Sequence, residues 1–301
     1  MAFVFTRRDY RAGSDSFTND VSDRTRYAIT PDGADAICAA DLMDKAAWVA
    51  AVKQAAAGRH LLFMVHGCNV SQRVFLNRLD SAETMLRHHG FSGAIVGFDW
   101  ASDGMLFNYA GDKRDALASS PYLVLDGIAP FLNEPNLKIH VLGHSLGAYL
   151  TLNGFARAGD APGARPWDIN QVILHAADVD TQIMRRWGRA EQVMKRRCER
   201  LTSYHNLRDL SLAVSRDFLN GKERAGHTGL DASLPDIFED VSCTDWYDAH
   251  MTKYKGGLNA GHAFYYQETR FFEDVWAVMQ GKTGAAMATR AGGGDADWRL
   301  V

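Results

Sequence analysis

The sequence predicts an α/β protein, a doubly wound and mainly parallel sheet with helices on both faces. Three observations carry this. Short continuous apolar runs recur along the chain, each closed by Gly or a charged residue. They lack polar alternation, as expected of strands buried on both faces. Segments with helical periodicity separate them, so strand and helix alternate about six times over the 301 residues.

The elements follow in order. Residues 1–35 are polar, rich in Asp, Arg, Ser and Thr, and weakly periodic; they are expected to form an irregular N-terminal arm with at most one strand. The catalytic-size domain is expected over 36–281. In "DLMDKAAWVAAVKQAAAG" (41–58), Leu42, Ala46, Val49 and Val52 recur at helical spacing and Gly58 is a stop. "HLLFMVHG" (60–67) is a buried strand, "SQRVFLNRLDSAETMLRHHG" a helix ending at Gly90, and "GAIVGFDW" (93–100) a strand. "DKRDALASSPYLVLDGIAPFLN" is helical, with Pro121 expected just inside a helix start. "KIHVLGHS" is a strand and "LGAYLTLNGFARAG" a helix. Then come a strand at 171–178, a helical segment over 181–200 placed where a small cap would grow, and a strand at 200–209. A last strand at 238–245 and a helix over 263–281 complete the domain, and the Gly- and Ala-rich tail 282–301 is expected to be flexible.

Bulk properties narrow the classes. Hydrophobic residues make up 47% and charged residues 23%, as in ordinary globular proteins, and the net charge of −3 argues against a nucleic-acid partner. No apolar run approaches the ~18 residues of a membrane span, and "MAFVFTRRDYRAG" lacks the order of a signal peptide. Cys38, Cys68, Cys198 and Cys243 form no CxxC pair and no metal-ligand spacing, so reduced thiols and a cytoplasmic location are expected.

The chemistry centres on "KIHVLGHSLGAYL" (138–150). In a chain with 27 glycines a Gly-x-Ser-x-Gly pentapeptide is weak evidence by itself. Here a buried strand precedes Gly143 and a helix follows Gly147. That is the context of a nucleophile elbow, in which a strained turn lifts Ser145 above the sheet. The same turn aims the Leu146 N–H, at a helix N-terminus, toward a developing oxyanion. Partners should follow in the order acid, then His. Asp209 is the expected acid, with a helix N-cap as its structural alternative and Asp178 as its competitor. His262, between "GGLNAG" and the last helix, is the expected base, with His227 and His250 in late loops as competitors; His140, His144 and His175 are expected to be packed or hydrogen-bonded structurally. "HGCN" (66–69) should supply the second oxyanion donor, the N–H of Cys68, with Asn69 bracing the loop or donating directly. Trp100, Phe107 and Tyr109 are candidate walls of a substrate pocket, with loop-anchoring aromatics as the alternative, while Asp112, Lys113 and Arg114 form a solvated charge cluster or a helix start. The basic residues of 181–200 suit either a solvated helix face or a remote carboxylate or phosphate of the substrate.

"LLFMVHGCNVS", "GFDWAS", "NYAGDKRDA", "HVLGHSLGAYL", "ILHAADVD", "SYHNLRDLSLAVS" and "GHAFYY" together resemble the bacterial α/β-hydrolase family known as domain of unknown function nine hundred, from about residue 60 to 280. The resemblance implies an α/β-hydrolase fold with Ser145, Asp209 and His262 at the triad positions. Cys68 replaces the commoner Phe or Tyr of that family, and Ala101 its Pro. The expected function is a serine esterase for small, soluble acyl or aryl esters, using no metal or other cofactor. Thioesterase, lactonase and acyltransferase share the triad. The reading from another class is a non-catalytic binding protein on a hydrolase fold.

Overall fold

The structure, a computed structural model, describes residues 1–102, 108–159, 167–230, 234–292 and 297–301. Its strands are β1 (Ala2–Arg11), β2 (Ser16–Thr30), β3 (Leu42–Met43), β4 (His60–Val65), β5 (Gly93–Asp99), β6 (Lys138–His144), β7 (Ile169–His175), β8 (Cys198–His205), β9 (Phe238–Ser242), β10 (Arg290–Gly292) and β11 (Asp297–Leu300). They form one sheet in the order β10-β11-β9-β8-β7-β6-β4-β5-β1-β2-β3. The run from β11 to β1 is parallel throughout, with antiparallel hairpins at both edges.

Both faces of the sheet are covered, which explains the unbroken apolar runs. In β4, Leu61, Phe63 and Val65 enter one core while Leu62 and Met64 enter the other. Helix α1 (Lys45–Ala56) puts Trp48 and Val52 on the first face. Phe5 from β1 stacks on Phe98 from β5 there, with centroids 4.5 Å apart. Helix α2 (Gln72–His88) and the helix Thr269–Met279 cover the second face through Phe75, Leu79, Phe271 and Val275.

Helix α3 (Tyr109–Tyr122) carries Pro121 inside its last turn, not at a helix start. Proline cannot donate to the Leu117 carbonyl. That carbonyl instead accepts from Ser120 Oγ at 2.9 Å and Arg157 Nη1 at 3.4 Å, and the helix continues as a π-helical turn over Leu123–Ile128. Helix α4 (Leu146–Ala158) follows β6 directly. The 181–200 segment is two short helices, Thr181–Met184 and Arg189–Met194, interrupted at Trp187 (φ 68°).

Both chain ends depart from the expectation. Residues 1–35 are not an irregular arm: β1 lies inside the sheet between β5 and β2. The Gly- and Ala-rich tail is not loose either, since β10 and β11 extend the opposite edge. Each end is anchored by a buried arginine. Arg8 in β1 donates through Nε to Asp99 Oδ1 at 2.7 Å, through Nη1 to Asn19 Oδ1 and the Ser102 carbonyl, and through Nη2 to the Val70 carbonyl at 2.9 Å. Arg290 in β10 reaches Asp274 Oδ2 at 2.7 Å and Glu239 Oε2 at 2.8 Å. Burial alone would raise the Asp99 carboxyl, but Arg8 and then His66 overcome it and hold it well below the usual carboxylate range.

Two tests follow from this packing. Arg8→Met leaves Asp99 charged, buried and unpaired, and should lower unfolding stability by about 3–5 kcal/mol in urea titrations. Arg8→Met with Asp99→Leu should recover much of that loss. A second test concerns pH. Burial pushes His60 down to about 4 and fully buried His140 well below the usual imidazole value. The unfolded chain then binds protons that the folded chain refuses. This source of stability is intact above about pH 6.5 and is lost as pH falls below it, at up to about 1.4 kcal/mol per pH unit for a fully buried histidine. Urea midpoints should therefore drop between pH 7 and 5, and less so in His140→Asn.

Candidate active site

Ser145 sits between β6 and α4 with φ 54° and ψ −122°, a left-handed conformation that is costly for any residue but glycine. The surroundings hold it there. Its N–H donates to the His175 carbonyl at 3.1 Å, and its carbonyl accepts from the N–H groups of Ala148 and Asp178. Gly147 explains why the turn can approach β4 so closely. A Cβ at that position would lie 2.5 Å from the carbonyl oxygens of both Val65 and His66.

Asp209 and His262 come together although 53 residues separate them. His262 Nδ1 lies 2.7 Å from Asp209 Oδ2. Asp209 is fully buried and caps the helix Leu210–Val214 as well, Oδ1 accepting from the Leu212 N–H at 2.9 Å. One oxygen of Asp209 thus caps the helix and the other meets His262 Nδ1. Buried Asn206 straps the two loops, its Nδ2 donating to the Gly261 carbonyl at 2.9 Å. His144 adds a second strap, with Nε2 3.1 Å from the His262 carbonyl, an arrangement that requires the Nε2–H tautomer. Sequence reading missed Asn206, because a strap between loops leaves no local pattern; for His144 it expected a packed or hydrogen-bonded structural role without a partner, and the partner is the His262 carbonyl.

Ser145, His262, Cys68, Asn69 and Tyr109 line one cavity of about 530 Å³. The competitors are placed differently. His227 is absent from its lining. Asp178 reaches the cavity but is engaged by Tyr109 Oη at 2.7 Å, Ser215 Oγ at 2.8 Å and Arg224 Nε at 3.1 Å. The backbone N–H groups of Cys68 and Leu146 donate to no oxygen among the described residues. Gly67 brings the loop against the nucleophile, since a Cβ there would lie 2.7 Å from Ser145 Cβ. Burial pushes the Cys68 thiol up to about 12, so it stays protonated at neutral pH.

Three expectations about this region need correction. Trp100 is fully buried and is not a pocket wall; its indole N–H donates to the His66 carbonyl at 2.7 Å and its ring stacks on His66 from beneath the loop. Asp112 is no solvated charge. It is buried, and Oδ2 accepts from the Asn69 N–H and from Ser102 Oγ, both at 2.9 Å, so it braces the loop that carries Cys68. Phe107 lies outside the described residues. The cleft wall also differs from a 181–200 cap, since no residue of that segment lines this cavity. The wall comes from Leu210–Leu219 and Leu258, where Phe218 and Leu258 are 82% and 80% exposed. Arg78 also lines the cavity, stacked over the Tyr266 ring at 4.7 Å. No helix among the described residues is long and apolar enough to cross a membrane.

Comparison with known proteins agrees with this geometry at the level of family. Residues 43–274 match the family described as "alpha/beta hydrolase of unknown function (DUF900)". The uncharacterized protein alr1448 of Nostoc sp. is 27% identical over 116 residues, a match spanning 31% of this chain and 30% of that protein's length. Among solved structures, a putative cell surface hydrolase from Lactobacillus plantarum is 15% identical, with 75% of this chain and 93% of that one covered and a TM-score of 0.42. A lipase-esterase related protein from Clostridium acetobutylicum is 10% identical, with 74% and 93% covered and a TM-score of 0.36. The family match spans more than two thirds of the sequence and contains the strained serine turn, the Asp209 and His262 loops and the Gly67 turn: the chain belongs to this family of α/β-hydrolases.

Proposed function

We propose that the protein is a serine hydrolase of carboxylic esters. The observation that carries the reading is the 2.7 Å contact between His262 Nδ1 and Asp209 Oδ2, with His262 and the strained Ser145 facing the same cleft. In this reading Ser145 Oγ attacks the ester carbonyl carbon while His262 Nε2 takes its proton. Asp209 keeps the Nδ1–H tautomer and stabilises the imidazolium. The carbonyl oxygen gains negative charge and accepts from the free N–H groups of Cys68 and Leu146. His262 returns the proton to the leaving alcohol, and an acyl group remains on Ser145. Water, deprotonated by the same histidine, then releases the acid and restores the serine.

The cleft supports an acyl chain as the group recognised. Leu210, Val214, Phe218, Leu219 and Leu258 form an apolar bed along its mouth. The protonated Cys68 argues against a cysteine nucleophile, and the depth of the Asp209 carboxylate favours its role as orienting acid.

Intact-mass analysis after a fluorophosphonate should show one adduct on wild type and none on Ser145→Ala; a folded wild type that takes no adduct would sink the mechanism. Asp209→Asn should keep the fold and lower kcat by about 10³–10⁴, because the amide favours the wrong imidazole tautomer. On p-nitrophenyl esters, kcat/KM should climb from acetate to hexanoate by up to about fourfold per methylene. Phe218→Ser should flatten that slope, and an equal slope in the two proteins would exclude this bed for the chain.

A further inference from the structure

A second cavity, of about 290 Å³, shares no lining residue with the Ser145 cleft. Its charged lining is Lys113, Arg189, Lys222 and Arg224 against a single carboxylate, Asp180. Lys222 takes that carboxylate at 3.0 Å. The other three cations are poorly matched. Arg224 is only 4% exposed, and its Nε lies 3.1 Å from Asp178 Oδ1. Its two Nη groups donate no hydrogen bond among the described residues. Lys113 Nζ donates to the neutral Asn220 Oδ1 at 2.7 Å, and Arg189 has no ion pair among the described residues. Burial above all, and then the neighbouring Arg224, lower the Lys113 ammonium against the pull of Asp178 and Asp180.

Four cations facing only the two carboxylates Asp178 and Asp180 are costly to hold together, and a buried guanidinium whose Nη groups lack acceptors is more so. An anion in the cavity removes both penalties. The planar Nη pair of Arg224 suits the two oxygens of a carboxylate or phosphate. The remaining wall is apolar, built from Leu152, Ala156, Ile183 and Val193 with the Tyr149 ring. We propose that this cavity binds a small organic anion, its carboxylate or phosphate held by Arg224, Lys113 and Arg189 and its compact apolar body against Leu152, Ile183 and Val193. The site is distinct from the cleft yet close to it in contacts. Arg224 holds Asp178, whose backbone N–H donates to the Ser145 carbonyl at 3.1 Å. Of the basic residues in 181–200, Arg189 alone lines this cavity; the rest face elsewhere.

Calorimetric titration with inorganic phosphate, phenyl phosphate and benzoate tests the site on wild type, Ser145→Ala, and Lys113→Met with Arg189→Met. Saturable binding of phenyl phosphate or benzoate is expected on wild type, tighter than that of inorganic phosphate because the ring meets the apolar wall. The stronger of the two aromatic probes identifies the head group. Affinity should be equal in Ser145→Ala and at least about tenfold weaker in the double variant. If the double variant does not fold, Arg189→Met alone, which removes an unpaired side chain, should still weaken binding. No saturable binding of any probe overturns the proposal. So does unchanged affinity in the cation variants. Loss of binding in Ser145→Ala overturns it as well, by placing the anion in the cleft. The readout is binding, so it stands apart from whether Ser145 reacts.

Discussion

The buried ion pair of Arg8 and Asp99 is the constraint that joins β1 to β5 and to the start of α2. Asp99 ends β5 and collects Arg8 and Thr6 from β1 and Gln72 from the first turn of α2. Arg8 also donates to Asn19 Oδ1 and to the carbonyls of Val70 and Ser102. The residues so fixed flank the turn that carries Gly67 and Cys68. A buried charge with every donor and acceptor matched is specific in a way an apolar contact is not, because any displacement strands a charge. The first strand of the chain therefore does more than widen the sheet. It sets the floor on which the Gly67–Cys68 loop rests, from outside the 43–274 segment that matches the family.

The site itself is assembled by close approach and straps. β6 delivers Ser145 at the centre of the sheet, and glycine at 147 and 67 lets two backbones and the Ser145 side chain occupy space that a single methyl would fill. The Asp209 and His262 loops come from distant parts of the chain and are joined by Asn206 and His144. Each strap replaces a water contact by a buried hydrogen bond. The acid–base distance is thereby fixed by the scaffold and not by the mobility of either loop.

Side chains that local rules assign to solvent explain most of the differences between expectation and structure. Arg8, Arg290 and Asp112 are all buried. Charged residues in short polar segments suggest arms and tails, and only distant partners make their burial affordable: Asp99 for Arg8, Asp274 and Glu239 for Arg290, and the Asn69 N–H for Asp112. Pro121 shows the same effect in a helix. Its missing donor is offset by Ser120 and by Arg157 from α4, so the helix runs through it. Trp100 was legible as an aromatic near the site, but its side is set by the His66 ring and carbonyl.

By itself the sequence determined the α/β class, the order of the central strands and helices and the strained Ser145 turn, and it singled out Asp209 and His262, which the structure brings within 2.7 Å of each other. These rest on apolar periodicity and on glycine spacing, which act between neighbours along the chain. Only the tertiary structure decided that both chain ends join the sheet, that Leu210–Leu219 rather than 181–200 walls the cleft, and that three cations converge on a second cavity. The physical reason is the range of the interactions. Ion pairs and loop straps here join residues 40 to 118 positions apart, as Arg208 to Asp248 (40), Arg8 to Asp99 (91) and His144 to His262 (118) illustrate, and no local pattern records a partner at that distance.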